Sequence, residues 1–364
     1  MFFILLLSGF IGLQYYVARR LSSIFQFPYT YKVTLFLLFI CTNFFVVNML
    51  SRRFWNIGIR LWYIGTMAYG GAIWMLFWLL LCYQPIQWAI PIPPKISRYI
   101  VVIGAGLLIL YGIFQAHHLT IKTVEIMSPK IQREVTIVQI SDLHLGAING
   151  KGLVDRVISQ IQRLHPDLVV VTGDLFDSTE HDIADTLSGF NDLTVPAYFV
   201  FGNHDQYAGK ERVRAAISHT PLKILQNSVA LYDGTLQLIG LDDIGHHGDV
   251  NITPILQPLA LHDGYFTILL AHVPSVFRSI DAYPIDLTLS GHTHSGQLFP
   301  IFVIFKRSYP YLRGLYQSGR HYLYVSSGTG TWGPPMRLGT WSEVTLIRLV
   351  PQKNVAQKRG GDLQ

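Results

Sequence analysis

His292 and His294 stand one residue apart in the heptapeptide GHTHSGQ (residues 291–297), directly after the alternating run IDLTLS at 285–290. Residues two apart on an extended strand point to one face, so both imidazoles can approach a shared centre from the same side. Gly291 and Gly296 flank the pair and would let the backbone crowd that centre. Four further clusters of the same character precede this one. They are SDLHLG with Asp142 and His144, GDLFD with Asp174 and Asp177, GNHD with Asn203, His204 and Asp205, and LAHVP with His272. Each follows an apolar run. Loops at strand ends are where a sheet aims polar side chains into one site without burying unpaired charge in its core.

The residue types form a donor inventory: two carboxylates, one amide oxygen and four imidazoles, with no cysteine among them. Hard oxygens with imidazole suit manganese first, with iron or zinc as alternatives, and the donors outnumber what one tetrahedral ion needs. Two divalent metal ions are the economical reading. A carboxylate such as Asp174 can bridge them, and ions roughly 3.5–4 Å apart can clamp a phosphoryl group. Taken singly these fragments are weak, since a histidine after a strand is more often a hydrogen-bonded structural residue. Their order gives them weight.

In that order the clusters resemble the calcineurin-like metallophosphoesterase superfamily, whose pattern is D-x-H, G-D-x-x-D, G-N-H-D or G-N-H-E, H, then G-H-x-H. All five blocks lie between Asp142 and His294. GLY at 314–316, YVSSGTGTWGPPMR at 324–337 and the closing strand extend the resemblance to about residue 350. They are similar to the bacterial membrane-associated, YkuE-like branch. The resemblance implies a two-sheet αββα sandwich with Asp142, His144 and His294 on a first metal, Asn203, His272 and His292 on a second, and Asp174 between them. It makes His204 the acid that protonates the leaving oxygen and Asp177 the carboxylate that orients it, with Asp205 an alternative for that role. Ester hydrolysis needs a nucleophile, charge neutralisation and help for the leaving group, and this set would supply all three.

The elements that must position these loops read as a water-soluble α/β domain over 119–350. The patterning predicts strands at 135–140, 168–172, 197–201, 223–231, 236–239, 266–270, 287–289, 322–325 and 343–349. An amphipathic helix is predicted over 152–164, and Asp233-Gly234 marks a hairpin turn. Strands alternating with helices and then strand-rich hairpins predict two packed sheets flanked by helices. A polar tail over 351–364 reads as disordered.

The first third is different. The chain is 50% hydrophobic but only 14% charged, against roughly 25% charged in a soluble domain. The apolar excess falls in four runs, 2–17, 32–50, 61–83 and 99–115, each near the roughly 17–25 residues that span a bilayer. Residues 1–118 are therefore predicted as a membrane domain of about four transmembrane helices, making this a multi-pass protein of the cell's inner membrane. Basic residues do not orient it. Arg19, Arg20, Lys32, Lys95 and Arg98 lie on one side against Arg52, Arg53, Arg60, Lys122, Lys130 and Arg133 on the other. Cys41 and Cys82, the two cysteines, fall in predicted spans and exclude a disulfide framework elsewhere.

Three readings of function follow. The leading one is a membrane-embedded two-metal phosphoesterase cleaving a phosphodiester or pyrophosphate of a lipid-linked substrate. Within the resembling branch, one implied reaction is hydrolysis of UDP-2,3-diacylglucosamine in lipid A biosynthesis. The alternatives are a tethered phosphodiesterase for soluble nucleotides, and a non-catalytic metal-binding membrane sensor, against which the complete donor set argues. Basic residues are scattered and form no stripe, so nucleic acid is not an expected partner. Arg337 is a candidate for bidentate contact with substrate phosphate. Lys306, Arg307, Arg313 and Arg320, set among tyrosines, are candidates for lipid headgroups. His246 and His247 read as part of a polar loop.

Overall fold

The computed structural model describes residues 2–28, 30–54, 56–177, 183–243, 251–306 and 309–352. The chain divides into two compact units. One comprises Met1–His118 together with Trp332–Leu338, and the other Leu119–Thr331 together with Gly339–Gln364.

Four helices make up the first unit: α1 (Phe2–Phe25), α2 (Thr30–Arg53), α3 (Ile57–Ala89) and α4 (Pro94–His117). Asn56 caps α3 by accepting the Ile59 amide at 3.0 Å, and Pro94 opens α4, where a missing N–H costs nothing. Among the described residues, α3 and α4 are long and apolar enough to cross a membrane by length and composition. The sequence patterning predicts four such helices. The first two carry more polar side chains, including Gln14, Arg19 and Arg20 in α1 and Lys32, Thr34, Thr42 and Asn43 in α2. Inside the unit, Tyr69 Oη donates to Gln14 at 2.9 Å and Tyr83 Oη to Ser97 Oγ at 2.9 Å.

The second unit has, in chain order, strands β1 (Leu119–Ser128), β2 (Val135–Ile140), β3 (Leu168–Thr172), β4 (Ala197–Val200), β5 (Leu222–Ile224), β6 (Ser228–Tyr232), β7 (Leu236–Gly240), β8 (Phe266–Leu270), β9 (Leu287–Ser290), β10 (Gly314–Ser318), β11 (His321–Val325) and β12 (Ser342–Pro351). They form two sheets of order β1-β12-β2-β3-β4-β5 and β10-β11-β9-β8-β7-β6. The central strands run parallel, β2 to β5 in one sheet and β7-β8-β9-β11 in the other. Of these, β3, β4, β8 and β9 are buried on both faces, which explains why they read as continuous apolar runs.

Strand alternation sorts those runs into layers. Leu168 and Val170 of β3 face the second sheet, where Leu238, Ile268, Leu287 and Leu289 meet them. Val169 and Val171 face outward onto helix α5 (Lys151–Leu164) through Leu153, Val154, Val157, Ile158 and Ile161. On the far side, Ile239, Leu269 and Val325 are covered by Leu256, Val276 and Phe277. The result is the helix–sheet–sheet–helix sandwich that the patterning predicts.

Four details depart from the sequence reading. Residues 223–231 are not one strand: Asn227, at φ 48°, turns the chain from β5 in the first sheet to β6 in the second. Strands β1 and β10 went unpredicted, because each lies at a sheet edge and carries polar residues on both faces. Trp332–Leu338 leaves the domain predicted over 119–350 and belongs with the helical unit. Of the predicted tail, Pro351 still closes β12, and residues 353–364 lie outside the described residues.

Candidate metal centre

Five residues of the predicted donor set occupy left-handed backbone: Asp142 (φ 54°), His144 (46°), Asp174 (51°), His292 (72°) and His294 (46°). None is glycine, and each such conformation costs of order 1–3 kcal/mol unless its surroundings impose it. Here the loops impose it on one another. The amides of Asp142 and His144 donate to the carbonyls of Gly173 (3.0 Å) and Asp174 (3.1 Å), and that of Gly291 donates to His272 (3.0 Å). The His292 amide donates to both carboxylate oxygens of Asp142 (3.0 and 3.1 Å), and the His204 amide donates to Asp174 Oδ1 (2.8 Å). A Cβ on Gly291 would overlap Ser141 Oγ and the Asp142 carboxylate, so this glycine does crowd the cluster. Gly296 does not. At φ +73°, its missing Cβ leaves room for the Phe302 amide 2.6 Å away, where the chain turns into the helix at Ile301–Phe305.

The side chains converge in three groups, each with ligand atoms within 4.8 Å of one another: Asp142, His144 and His294; Asp174, His272 and His292; and His144, Asp177 and His204. The first reproduces the set implied for one metal. In the second, Asn203 joins through Oδ1, 3.1 Å from His292 Nδ1. Asp174 Oδ2 lies 3.0 Å from His272 Nε2 and 3.7 Å from His144 Nε2, facing a member of each set. His144 and His294 meet Nε2 to Nε2 at 2.9 Å, and His294 Nε2 lies 3.5 Å from Asp142 Oδ1. His272 Nδ1 faces the Thr172 carbonyl at 2.8 Å. A carbonyl only accepts, so Nδ1 carries the proton and Nε2 is left for the cluster. Oxygen and imidazole donors turned inward at these separations, with no thiolate, fit divalent cations.

Burial and neighbouring charge divide the protonation states. Burial pushes the Asp142 carboxyl up to about 6, and burial followed by the nearby His204 pushes His144 down to about 4. For Asp174 burial acts upward, but His272 outweighs it and holds the carboxyl well below the usual range. Burial likewise acts downward on His272, and Asp174 outweighs it to raise the imidazole to about 10. A cation held here would displace the second proton from His272 Nε2 and leave the Asp174 charge facing both donor sets.

His204 stands beside the first group, its ring centroid 4.7 Å from that of His144. Its Nδ1 lies 3.2 Å from Asp177 Oδ1. Burial lowers the basicity of this histidine, and the Asp177 hydrogen bond more than restores it. Asp205 is occupied elsewhere. Its oxygens accept the amides of Phe176 (3.0 Å) and Gly202 (2.9 Å), and burial followed by the Asp174 charge raises its carboxyl to about 7. It braces the loop and makes no contact of the kind Asp177 makes with His204.

The sequence profile of the calcineurin-like phosphoesterase family matches residues 135–296. An uncharacterized metallophosphoesterase of Campylobacter jejuni is 30% identical over 97% of this chain and 98% of its own length. The chain belongs to the calcineurin-like phosphoesterases. It is also similar to the uncharacterized metallophosphoesterase YkuE of Bacillus subtilis, 31% identical over 58% of this chain and 78% of that one. A zebrafish transmembrane protein with metallophosphoesterase domain is 33% identical over 61% of this chain, which spans 54% of that relative. This calcineurin-like phosphoesterase is thus a metal-dependent enzyme of phosphoester hydrolysis.

Arg337 is fully buried and belongs with the helical unit. Arg307, His246 and His247 lie outside the described residues. Lys306, Arg313 and Arg320 are exposed. Sequence reasoning missed Tyr309, whose ring centroid is 5.9 Å from His292, and Tyr207, 5.4 Å from His204. It also missed Asn149, whose amide faces the carbonyls of Leu143 and His144. No sequence signal distinguishes an asparagine in a turn from one that holds a loop. The adjacent tyrosines are equally unmarked, because their contacts form only when distant loops meet.

Proposed function

We propose that this phosphoesterase is a membrane-embedded hydrolase that cleaves a phosphodiester or pyrophosphate bond of a lipid-linked substrate, of which UDP-2,3-diacylglucosamine is the leading example. The observation that carries the reading is the pairing of two donor sets across Asp174 with the His204–Asp177 pair beside them. Asp142, His144 and His294 would hold one divalent cation, Asn203, His272 and His292 the other, and Asp174 both, with manganese the first choice. When bound, the cations supply an activated water nucleophile and offset charge on the non-bridging oxygens. The Thr172 carbonyl keeps the His272 proton on Nδ1. His204, held at Nδ1 by Asp177, presents Nε2 to the leaving oxygen and delivers the proton. Tyr207 and Tyr309, beside His204 and His292, offer aromatic faces to the groups flanking the scissile bond.

The lipid reading is supported by α3 and α4. Their length would cross a bilayer, and α4 leaves Val102, Ile103, Leu107, Leu110 and Phe114 exposed, a surface that water does not favour. A catalytic unit on a multi-pass anchor searches for lipid substrates in two dimensions. The test is to purify the full chain in detergent with manganese and offer UDP-2,3-diacylglucosamine, a polyprenyl pyrophosphate and cyclic nucleotides. Phosphorus products would then be identified. Turnover of a lipid-linked substrate in preference to the nucleotides is the expected result. Turnover of soluble nucleotides alone would replace this reading with that of a tethered phosphodiesterase.

A further inference from the structure

Each donor set draws on both sheets. Asp142 and His144 follow β2, Asp174 follows β3 and Asn203 follows β4, all in the first sheet, whereas His272 follows β8 and His292 and His294 follow β9 in the second. A set therefore closes only if the ends of the two sheets stand at one separation. The apolar layer between the sheets does not fix that separation closely. Ile137, Leu168, Val170, Leu287 and Leu289 meet there, and apolar contact is non-directional, while metal ligation tolerates displacements of only about 0.2 Å.

At the metal-centre end of that layer stands an amide side chain. Gln139, the penultimate residue of β2, shares a strand face with Ile137 and is fully buried. Its Nε2 donates to Thr172 Oγ1 at 2.9 Å and to the Ser290 carbonyl at 2.9 Å. Thr172 ends β3 just ahead of Asp174, Ser290 ends β9 just ahead of His292, and Gln139 itself stands just ahead of Asp142. One amide group thus joins the ends of three donor-bearing strands, and it does so across the gap between the sheets. The Ser290 carbonyl only accepts, which turns the amide nitrogen toward it. Gln139 Oε1 then faces away, buried and without a hydrogen-bond partner among the described residues. A methionine of similar length would bring no acceptor into this layer, so what glutamine adds is the reach of its nitrogen. A second bond across the gap, from Tyr324 Oη of β11 to Glu343 Oε1 of β12, joins strands that lead to no donor.

We infer that Gln139 is a positioning residue of the metal centre: its amide ties β2, β3 and β9 together and so sets the separation across which both donor sets close. This rests on the assignment of the two sets to cations. Gln139 acts through the strands and touches neither cation nor substrate. Methionine in its place removes the tie without orphaning the Ser290 carbonyl, which also accepts the Ser326 amide at 2.9 Å.

The test uses the full chain in detergent, with manganese titration by calorimetry, thermal unfolding, and hydrogen exchange at two amides of the cation-free protein. The His292 amide donates across the gap to the Asp142 carboxylate, whereas the Asp142 amide stays within the first sheet on the Gly173 carbonyl. Gln139→Met is expected to weaken both manganese equivalents about tenfold or more, the usual scale for losing a group that orients ligands. It also raises exchange at His292 but not at Asp142. Thr172→Val keeps the carbonyl that holds His272 Nδ1 and weakens both equivalents less; combined with Gln139→Met it costs less than the sum of the two, since they share one bond. Tyr324→Phe takes a donor from the buried Glu343 carboxylate, so it lowers the melting temperature more than Gln139→Met does while leaving both equivalents unchanged. Wild-type affinities and wild-type exchange at His292 in Gln139→Met would overturn the proposal. An equal loss of affinity in Tyr324→Phe would do so too, because the effect would then be general destabilisation. If the wild type itself binds no manganese, the cation assignment fails and takes the positioning role with it, whereas unchanged affinities in Gln139→Met beside a wild type that does bind sink the tie alone.

Discussion

Substituting His204 separates two arrangements that its position permits. It lies 3.2 Å from Asp177 and its ring is 4.7 Å from that of His144, so the three could hold an ion, or His204 could serve as the acid for the leaving group. As the acid, it contributes nothing to cation binding, and His204→Ala retains both equivalents while kcat falls by roughly 10²–10⁴. At about 1.36 kcal/mol per decade, that is a loss of about 3–5 kcal/mol in transition-state stabilisation. The loss depends on the leaving group. A p-nitrophenyl ester departs without protonation and is expected to lose far less than an alkyl ester. Asp177→Asn keeps the shape of the pair but removes the charge that raises the His204 pKa. The protonated acid is then lost at lower pH, so the alkaline limb of the kcat profile moves down. The assay is kcat on both esters from pH 5 to 10, with elemental analysis of bound metal. Loss of a cation in His204→Ala, or equal rate losses on both esters, would refute the acid assignment.

Three other outcomes are expected. Asp174→Ala removes a carboxylate facing His272 at 3.0 Å and His144 at 3.7 Å, so cation occupancy should collapse; two ions still found by elemental analysis would contradict its shared role. Gly291→Ala forces a methyl into Ser141 Oγ and the Asp142 carboxylate, and should lower manganese affinity at least tenfold with little change in secondary structure, as read by calorimetry and circular dichroism. Asp167 is resisted by burial but held below the usual carboxylate range, first by the Thr136 amide and hydroxyl and then by Arg133. Its folded pKa is depressed, so its contribution is complete above the unfolded value of about 3.9 and is lost as pH falls through the folded value. Asp167→Ala should cost about 1 kcal/mol at neutral pH and flatten the decline of melting temperature below about pH 4; an unchanged acid slope would contradict it.

The identities of the metal-centre residues were legible because each follows a strand whose burial writes itself into the sequence as an apolar run. Val135–Ile140, Leu168–Thr172 and Phe266–Leu270 are such strands. Edge strands β1 and β10 were not legible, since one face meets solvent and the alternation dissolves into polar residues. The 223–231 run was read as a single strand because a change of sheet leaves no mark on hydrophobicity; only the left-handed Asn227 hints at it.

The sequence by itself determined which donor types the chain offers, in which order their loops come, and that two packed sheets would carry them, while the resemblance to the metallophosphoesterases assigned each donor to its set. The first three follow from residue type and local periodicity, which do not depend on where the chain goes next. Tertiary structure alone decided the partnerships. It set Asp174 between His272 and His144, gave Asp205 to backbone amides and Asp177 to His204, and aimed Gly296 away from the cluster that Gly291 crowds. It also laid Met336 against Gly71 and bonded the Arg337 amide to the Gly112 carbonyl. Each of these contacts joins residues tens to hundreds of positions apart, and such a distance closes only when strands take their register and loops meet at one end of the sheets.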